Sequence, residues 1–588
     1  MKIRVTSKLE RLQKLADELL YLRKPHEAVW KDTADYLLPY APRFLNDGDE
    51  DHGKLKDQLI LNNTGTLALN VLKAGMMSGI TPPSRPWFAL LPDKDSKEVS
   101  LVAREWLDKV KDKQNAIFSQ SNLYRVLPSV YQSFSVFGTA AMVVEEDFDD
   151  CIRCQELPIG SYAIANDAKG DVNMIYREMR YSVRQLIELF GVVSDDGTIL
   201  NESAFSDSVK EAYKEGHTET SVTVCHFLME NEDHDPNKLD PKFKKYSSCY
   251  WEKAREHQNK AKSFLKESGM DHFNVIVPRC GLSAGEVYGV DCPGRVARGD
   301  VKGLQHRERK VANALSKQID PPLIAPSNLE GNIDIDTRPA VNNQGVTFVD
   351  NDDLNNGGLR PLHEVRVDVT PVTNDQIRHE HRINKAFMVD LFQMLANAER
   401  KGMTATEIEL RKDEGALIIG PILSAINVDV AKPLIDITFR YMEKQGLLPP
   451  APEELQGQPL RIEYQSDLAK AMLLADIGLL DRYSRTIAEI ATIAPQVIDK
   501  VDPDALVDKY SQVISVPASV LRDKEEVAEM REQRAQQEKA QQVSDTLGQG
   551  AQTAKDLSQA DMSKDNALNR LLSQVQTLDN SGELAGHV

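Results

Sequence analysis

The residues best suited to chemistry fall into four short groups. Gly281–Gly285 reads GLSAG and matches the G-x-S-x-G nucleophile elbow, where a serine on a strained strand-to-helix turn attacks an acyl carbon. A strand-like run, FNVIVPRC, precedes it, but GEVYGVDCPG follows where the elbow needs a helix. Ser283 therefore reads as part of a glycine turn, with a serine hydrolase as the competing class. Cys151 and Cys154 form one C-x-x-C pair. A structural zinc site wants a second pair at matching spacing, and Cys225, Cys249, Cys280 and Cys292 do not supply it. The pair sits in a strand-like run, so its thiols are expected on opposite faces.

His379 and His381 bracket Glu380 without completing H-E-x-x-H, and residues two apart on a helix point in different directions. Asp350, Asp352 and Asp353 in FVDNDDLNNGG are only faintly like a calcium loop, because the glycine and the closing glutamate of an EF-hand are misplaced. A solvated acidic turn is the simpler reading. No G-x-x-x-x-G-K-[ST] occurs, so ATP hydrolysis belongs to some other chain. No metal, no cofactor and no enzymatic activity are expected.

The elements that would carry these residues indicate a large, mainly helical α+β protein. Its 588 residues allow two to four domains, and 41% hydrophobic with 27% charged residues fits a folded core with a polar surface. A net charge of −19 argues against generic attraction to a nucleic acid backbone, yet suits a surface past which DNA slides. Six cysteines fit reduced thiols. No signal peptide or membrane-length apolar run is read, so an intracellular site of synthesis is expected.

Residues 7 to 40 predict two helices, broken at Pro25 and stopped by Pro39, with Leu9, Leu12, Leu15, Leu19 and Leu22 on one side. Leu59 to Ile80 predicts a long helix with small residues for close packing, and residues 97 to 137 predict two more. The runs AAMVVEED, CIRCQELP, DVNMIYREMRY, TSVTVCHFLME and HFNVIVPRC predict strands. Between Val301 and Leu395 the order is helix, acidic insert, helix. Leu304, Val311, Leu315 and Ile319 mark the first helix; Ile377, Ile383, Phe387, Leu391 and Leu395 mark the second. A stalk carrying a tip is a mechanical part rather than a catalytic one. Thr404 to Gln445 predicts a helix opened by a Thr404/Glu407 capping box and closed by Gly446. LRIEYQSDLA predicts a strand entering a helix, residues 466 to 512 are helical, and Ser519 to Gln542 is an exposed charged helix before a loose tail.

Three segments taken together resemble the portal, or head-to-tail connector, proteins of short-tailed, T7-like bacteriophages. They are LILNNTGTLALNVLKAGMMSGITPPSRPWFAL, EVYGVDCPGRVARGDVKGLQHRERKVANALSKQIDPPLIAP, and the stretch from MTATEIELRKDEGALIIGP through GLLPPAPEELQGQPLRIEYQSDLAKA. The ordered agreement covers about 450 residues; CPGRVARGD is more polar than that family's pattern, and the tail after Ser519 is not covered. The resemblance implies a portal fold of wing, stem, clip and crown, assembled as a ring of twelve copies. The wing takes residues 1–299 and 404–465, the stem 300–320 and 375–395, the clip 321–374, a tunnel loop 396–403, and the crown 466–518, with a charged helix and tail at 519–588.

The same resemblance implies partners and sites. Double-stranded DNA passes through the axis without sequence recognition. The large terminase, a tail adaptor, scaffolding protein and the major capsid protein are the protein partners, and no membrane is involved. The protein belongs at a virion capsid vertex, after assembly in the host cytoplasm; a tail adaptor ring component is the nearest alternative. In the clip, Glu330, Asp334, Asp336, Asp350, Asp352, Asp353, Glu364 and Asp368 face only Arg338, Arg360 and Arg366, an acidic mouth that would discourage DNA from sticking. In the tunnel loop, Glu399, Arg400 and Lys401 are the ionic side chains, and the two cations are candidates to touch phosphates. On the stem, Arg307, Glu308, Arg309, Lys310, Arg378, Glu380 and Arg382 are candidates for ion pairs between neighbouring copies.

Overall fold

The computed structural model describes residues 7–39, 60–92, 101–192, 201–253, 263–327, 346–349, 360–361, 368–397, 419–455, 460–464, 483–492, 496, 501–507, 522 and 526–541. They divide into two compact units, Met1–Ser515 and Val516–Val588. In the second unit, residues 526–541 are one helix with almost every residue exposed, as its charged composition predicts.

The first unit opens with α1, Lys8–Leu37, as one continuous helix and not two. Pro25 lies inside it, where the missing N–H and the ring's clash with the preceding turn cost about 3 kcal/mol. Each half is anchored in a different core, which offsets that cost: Leu9, Leu12, Ala16 and Leu19 in one cluster, Trp30, Ala34 and Leu37 in another. The buried stripe follows 3.6-residue spacing through Leu19 to Arg23, so Leu22 falls outside it and is exposed. The Arg23 guanidinium instead pairs with Glu27 and donates to the Tyr162 carbonyl at 2.8 Å.

Helix α2, Thr64–Gly79, is shorter than its apolar run suggested, because Asn62 stops the helix there: its Oδ1 accepts from the Thr64 N–H at 2.9 Å. Strand β1, Phe88–Pro92, pairs antiparallel with β13, Leu460–Tyr464, so the chain returns to its N-terminal body late. Helices α3, Leu101–Gln120, and α4, Leu123–Phe137, fall within the predicted span.

Two further sheets follow. Strands β2, Ala141–Asp147, β3, Cys151–Leu157, and β9, Val275–Ile276, form one in the order β3-β2-β9. The larger sheet is antiparallel throughout: β4, Tyr162–Asn166, β5, Val172–Ser182, β6, Ser221–Glu230, β7, Tyr246–Glu252, and β8, Lys266–Met270, in that order. Helix α1 covers one face through contacts with Tyr176, Phe227 and Trp251. Helices α5, Val183–Phe190, and α6, Asp207–Lys214, cover part of the other around Val224. β4, β7 and β8 escape the sequence patterns for physical reasons. β7 is buried on both faces and does not alternate, and β8 is a short edge strand of sequence KESGM.

Helix α7 runs Pro293–Ile319, seven residues earlier than expected, with Pro293 in the first turn where a missing N–H costs nothing. The three short strands β10, Leu323–Pro326, β11, Val346–Val349, and β12, Arg360–Pro361, form a sheet in the order β11-β10-β12. Helix α8 then runs Thr370–Ala386. It also starts earlier than expected, because Asp368 accepts from the Thr370 N–H at 3.0 Å and caps it. The second helix does not continue to Leu395 as one rod. Met388, at φ 55°, breaks it, and α9, Val389–Asn397, departs in a new direction.

Residues 419–444 are helical, with a π-turn at Asn427–Ala431 leading into α10, Lys432–Lys444. The Thr404/Glu407 capping box lies outside the described residues. Gly446, at φ 67°, closes the helix as expected. Its N–H bonds the Glu443 carbonyl and the Leu447 N–H bonds Met442, a complete Schellman motif.

Candidate functional site

Helices α7 and α8 pack side by side and lean on α2. Their lower halves are set into the main core through Val301, Leu304, Ile383 and Phe387. Beyond that the pair is held by polar contacts. Nδ1 of His379 lies 2.7 Å from Asp300, and Arg382 pairs with the same carboxylate at 3.5 Å. Arg307 bonds Asp375, and His379 Nε2 lies 3.7 Å from it. The Arg307 bond, with the positive field of its neighbours, holds the Asp375 carboxyl below the usual range. On the other side, Lys302 and Arg298 both reach Asp32 of α1, at 2.6 and 3.5 Å.

Asn62 is the hub between the two helices and α2. Its carboxamide donates to Glu308 on α7 at 3.1 Å and to Glu380 on α8 at 3.0 Å. Buried Gln305 holds the adjoining backbone, accepting from Leu61 and Asn62 N–H groups and donating to the Asn62 carbonyl. Below, the Phe392 ring of α9 lies flat against Gly75 of α2, where an added Cβ would sit 2.1 Å from Cδ1. The small residues read in α2 thus serve packing, and Gly75 is the one that admits α9.

Of the stem candidates, Arg307, Glu308, Glu380 and Arg382 bond within their own chain. Arg309, Lys310 and Arg378 are exposed and have no partner among the described residues. His381 is exposed as well, so the His379–Glu380–His381 triplet splits three ways and gathers no ligands. Toward the insert the apolar stripe of α7 comes out of the core: Leu315 is 39% and Ile319 75% exposed, and Ile377 on α8 is 56% exposed. Asp368 is the one clip acid among the described residues; it caps α8, and that bond lowers its carboxyl pKa. Glu330, Asp334, Asp336, Asp350, Asp352, Asp353 and Glu364 lie outside them, as do Glu399, Arg400 and Lys401.

The other chemical groups sit elsewhere. Ser283 lies in an exposed turn between Gly281 at φ 57° and Gly285 at φ 86°; the next helix starts only at Pro293, so the elbow geometry is missing. All six cysteines are free and buried. Cys151 and Cys154 do not lie on opposite faces of a half-exposed strand: Cys151, at φ 68°, departs from strand alternation and both thiols enter the core. Burial pushes their pKa values up to about 11, with nearby acids adding at Cys151, and about 12. Among the described residues no cluster that could hold a metal ion and no helix long and apolar enough to cross a membrane is present.

Asn62, Gln305, Asp300, Asp375 and Gly75 were not singled out from sequence. Two signals were available. Gln305 is a polar residue directly beside Leu304 on the inward stripe, and Asn62 belongs to the NNT run that precedes α2.

Residues 9–521 match the family model described as bacteriophage head to tail connecting protein. The match takes in α1, the paired helices with their insert, and the return strand β13. The chain belongs to this family. A protein described as a probable portal protein, from Bordetella phage BPP-1, is 38% identical over 539 residues, 92% of this chain and 93% of the relative. The portal protein of Salmonella phage epsilon15 is 36% identical over 567 residues, 95% and 97% of the two chains. As a head-to-tail connecting protein the chain is a structural component of the phage particle, and Ser283 has no catalytic part in that role.

Proposed function

We propose that this protein is the portal of a phage capsid vertex, the channel through which the genome enters and leaves the head. The near full-length match to two phage portal proteins carries the reading. About twelve copies close into a ring, each using one face against a different face of its neighbour. Helices α7 and α8 are the stem lining the bore, the insert between them is the clip, and the segment after α9 is the tunnel loop. The clip docks the large terminase during packaging and the tail adaptor afterwards; scaffolding and major capsid proteins contact the outside.

The exposed ridge of Leu315, Ile319 and Ile377 supports this reading, since apolar groups in that position gain by burial against a neighbouring stem. Arg309, Lys310 and Arg378 are the cations available for pairing between copies. The double substitution Leu315→Asp/Ile319→Asp tests the assignment. Both side chains are exposed, so each chain still folds, and sedimentation should show the ring reduced to monomers. A ring of undiminished stability would overturn the stem interface. For the tunnel loop, Arg400→Ala/Lys401→Ala should impair DNA packaging or retention; unchanged packaging and retention would remove those two residues from the channel. An adaptor ring, the alternative, joins tails but is absent from empty precursor heads.

A further inference from the structure

The two edges of the five-stranded sheet are treated differently. At β4 the edge is closed by side chains: the Tyr162 carbonyl accepts from Arg23 at 2.8 Å, and the Ile164 N–H donates to the Tyr288 hydroxyl at 3.2 Å. At β8, the backbone of Lys266–Met270 hydrogen-bonds only to β7 among the described residues. An edge left open is a template for another strand.

Helix α1 crosses the sheet from that open edge to the closed one. Its first residue, Lys8, reaches Glu267 of β8 at 2.7 Å, and its Arg23 reaches β4. The chain before α1 therefore leaves the helix beside β8, and Ser7 is already extended at φ −60°, ψ 152°. The residues there, Lys2–Thr6, read KIRVT, an alternation of polar and β-branched side chains with period two. Five residues at about 3.3 Å each span roughly 16 Å, the length of the five-residue β8.

We infer that Lys2–Thr6 of the same chain add to β8 as a sixth strand, closing the sheet at its open edge. The charges agree with this. Glu267 stands opposite Cys249, on the face that α1 covers, and Glu232 bonds Arg11 at the same end. Alternation places Lys2 and Arg4 on that acidic face and turns Ile3 and Val5 to the other, beside Met270, which packs against the main core.

Hydrogen exchange on the full chain tests this, with Ile3→Pro/Val5→Pro as the variant, because proline removes the donors a strand needs. In the wild type, peptides covering residues 2–6 and 266–270 should both be protected. In the variant, exchange at 266–270 should be at least about tenfold faster while α1 stays protected. Free-chain exchange at residues 2–6 of the wild type, or unchanged exchange at 266–270 in the variant, would overturn the inference. A short bismaleimide on Val5→Cys/Ser268→Cys separates the source. Cross-linking within one chain supports the assignment, and a product of twice the chain mass places the strand on a neighbour and refutes it.

Discussion

Gln305 closes a hydrogen-bonded ring with Asn62: its Oε1 accepts from the Asn62 N–H at 2.9 Å and its Nε2 donates to the Asn62 carbonyl at 2.7 Å. A buried side chain on the first long helix thereby fixes the backbone that leads into α2. Gln305→Leu fills the same volume but leaves those peptide groups without partners, and should cost about 2 kcal/mol in urea unfolding. Gln305→Glu should recover little, because an acceptor would then face the Asn62 carbonyl. Full stability in the leucine variant would show that the ring is incidental.

Asn62 offers a sharper test. Its amide hydrogens lie between Glu308 and Glu380, while its oxygen caps α2. Asn62→Asp keeps the cap and sets a third carboxylate against the other two. Stability at pH 7 should fall by roughly 2 kcal/mol, and the added change Glu308→Gln should restore part of it. Strict additivity of the two substitutions would mean that the carboxylates do not share this residue.

Met388 holds a left-handed conformation at the junction of α8 and α9. A β-branched side chain fits that region poorly, so Met388→Val should destabilise by about 1–2 kcal/mol, whereas Met388→Gly should be near neutral as relief of strain offsets lost packing. Calorimetry of the two variants checks the order; a valine variant at least as stable as the glycine variant would contradict it.

His226 makes stability depend on pH. Arg177 Nε donates to its Nδ1 at 2.8 Å, Ser248 Oγ lies 2.9 Å from Nε2, and the Tyr250 ring stacks on it at 4.0 Å. Burial, then the Arg177 guanidinium, holds its pKa well below the ordinary value. The unfolded chain therefore takes up the proton first. The contribution is whole above about pH 6.5 and is lost as pH falls from there toward the folded pKa. Between pH 7 and 5 the melting temperature of the wild type should drop more steeply than that of His226→Gln; equal slopes would exclude the effect.

The long amphipathic segments were legible because burial repeats at helical spacing. The helix, insert, helix order and the Gly446 stop came directly from that pattern. What escaped was set by contacts distant in sequence. Pro25 does not break α1, because cores nearly 150 residues away grip both halves. Leu22 yields its place to Arg23, whose partner is the Tyr162 carbonyl. The charges on α7 and α8 looked free for a neighbour until Asp300, Asp375 and Asn62 claimed four of them, and no local pattern announces those three.

The most direct measurement is electron microscopy of the purified protein with its native mass in solution. The account predicts a ring with a central hole, near 790 kDa for about twelve chains of 65.8 kDa. A protein that stays a 65.8 kDa monomer across salt and concentration would contradict it.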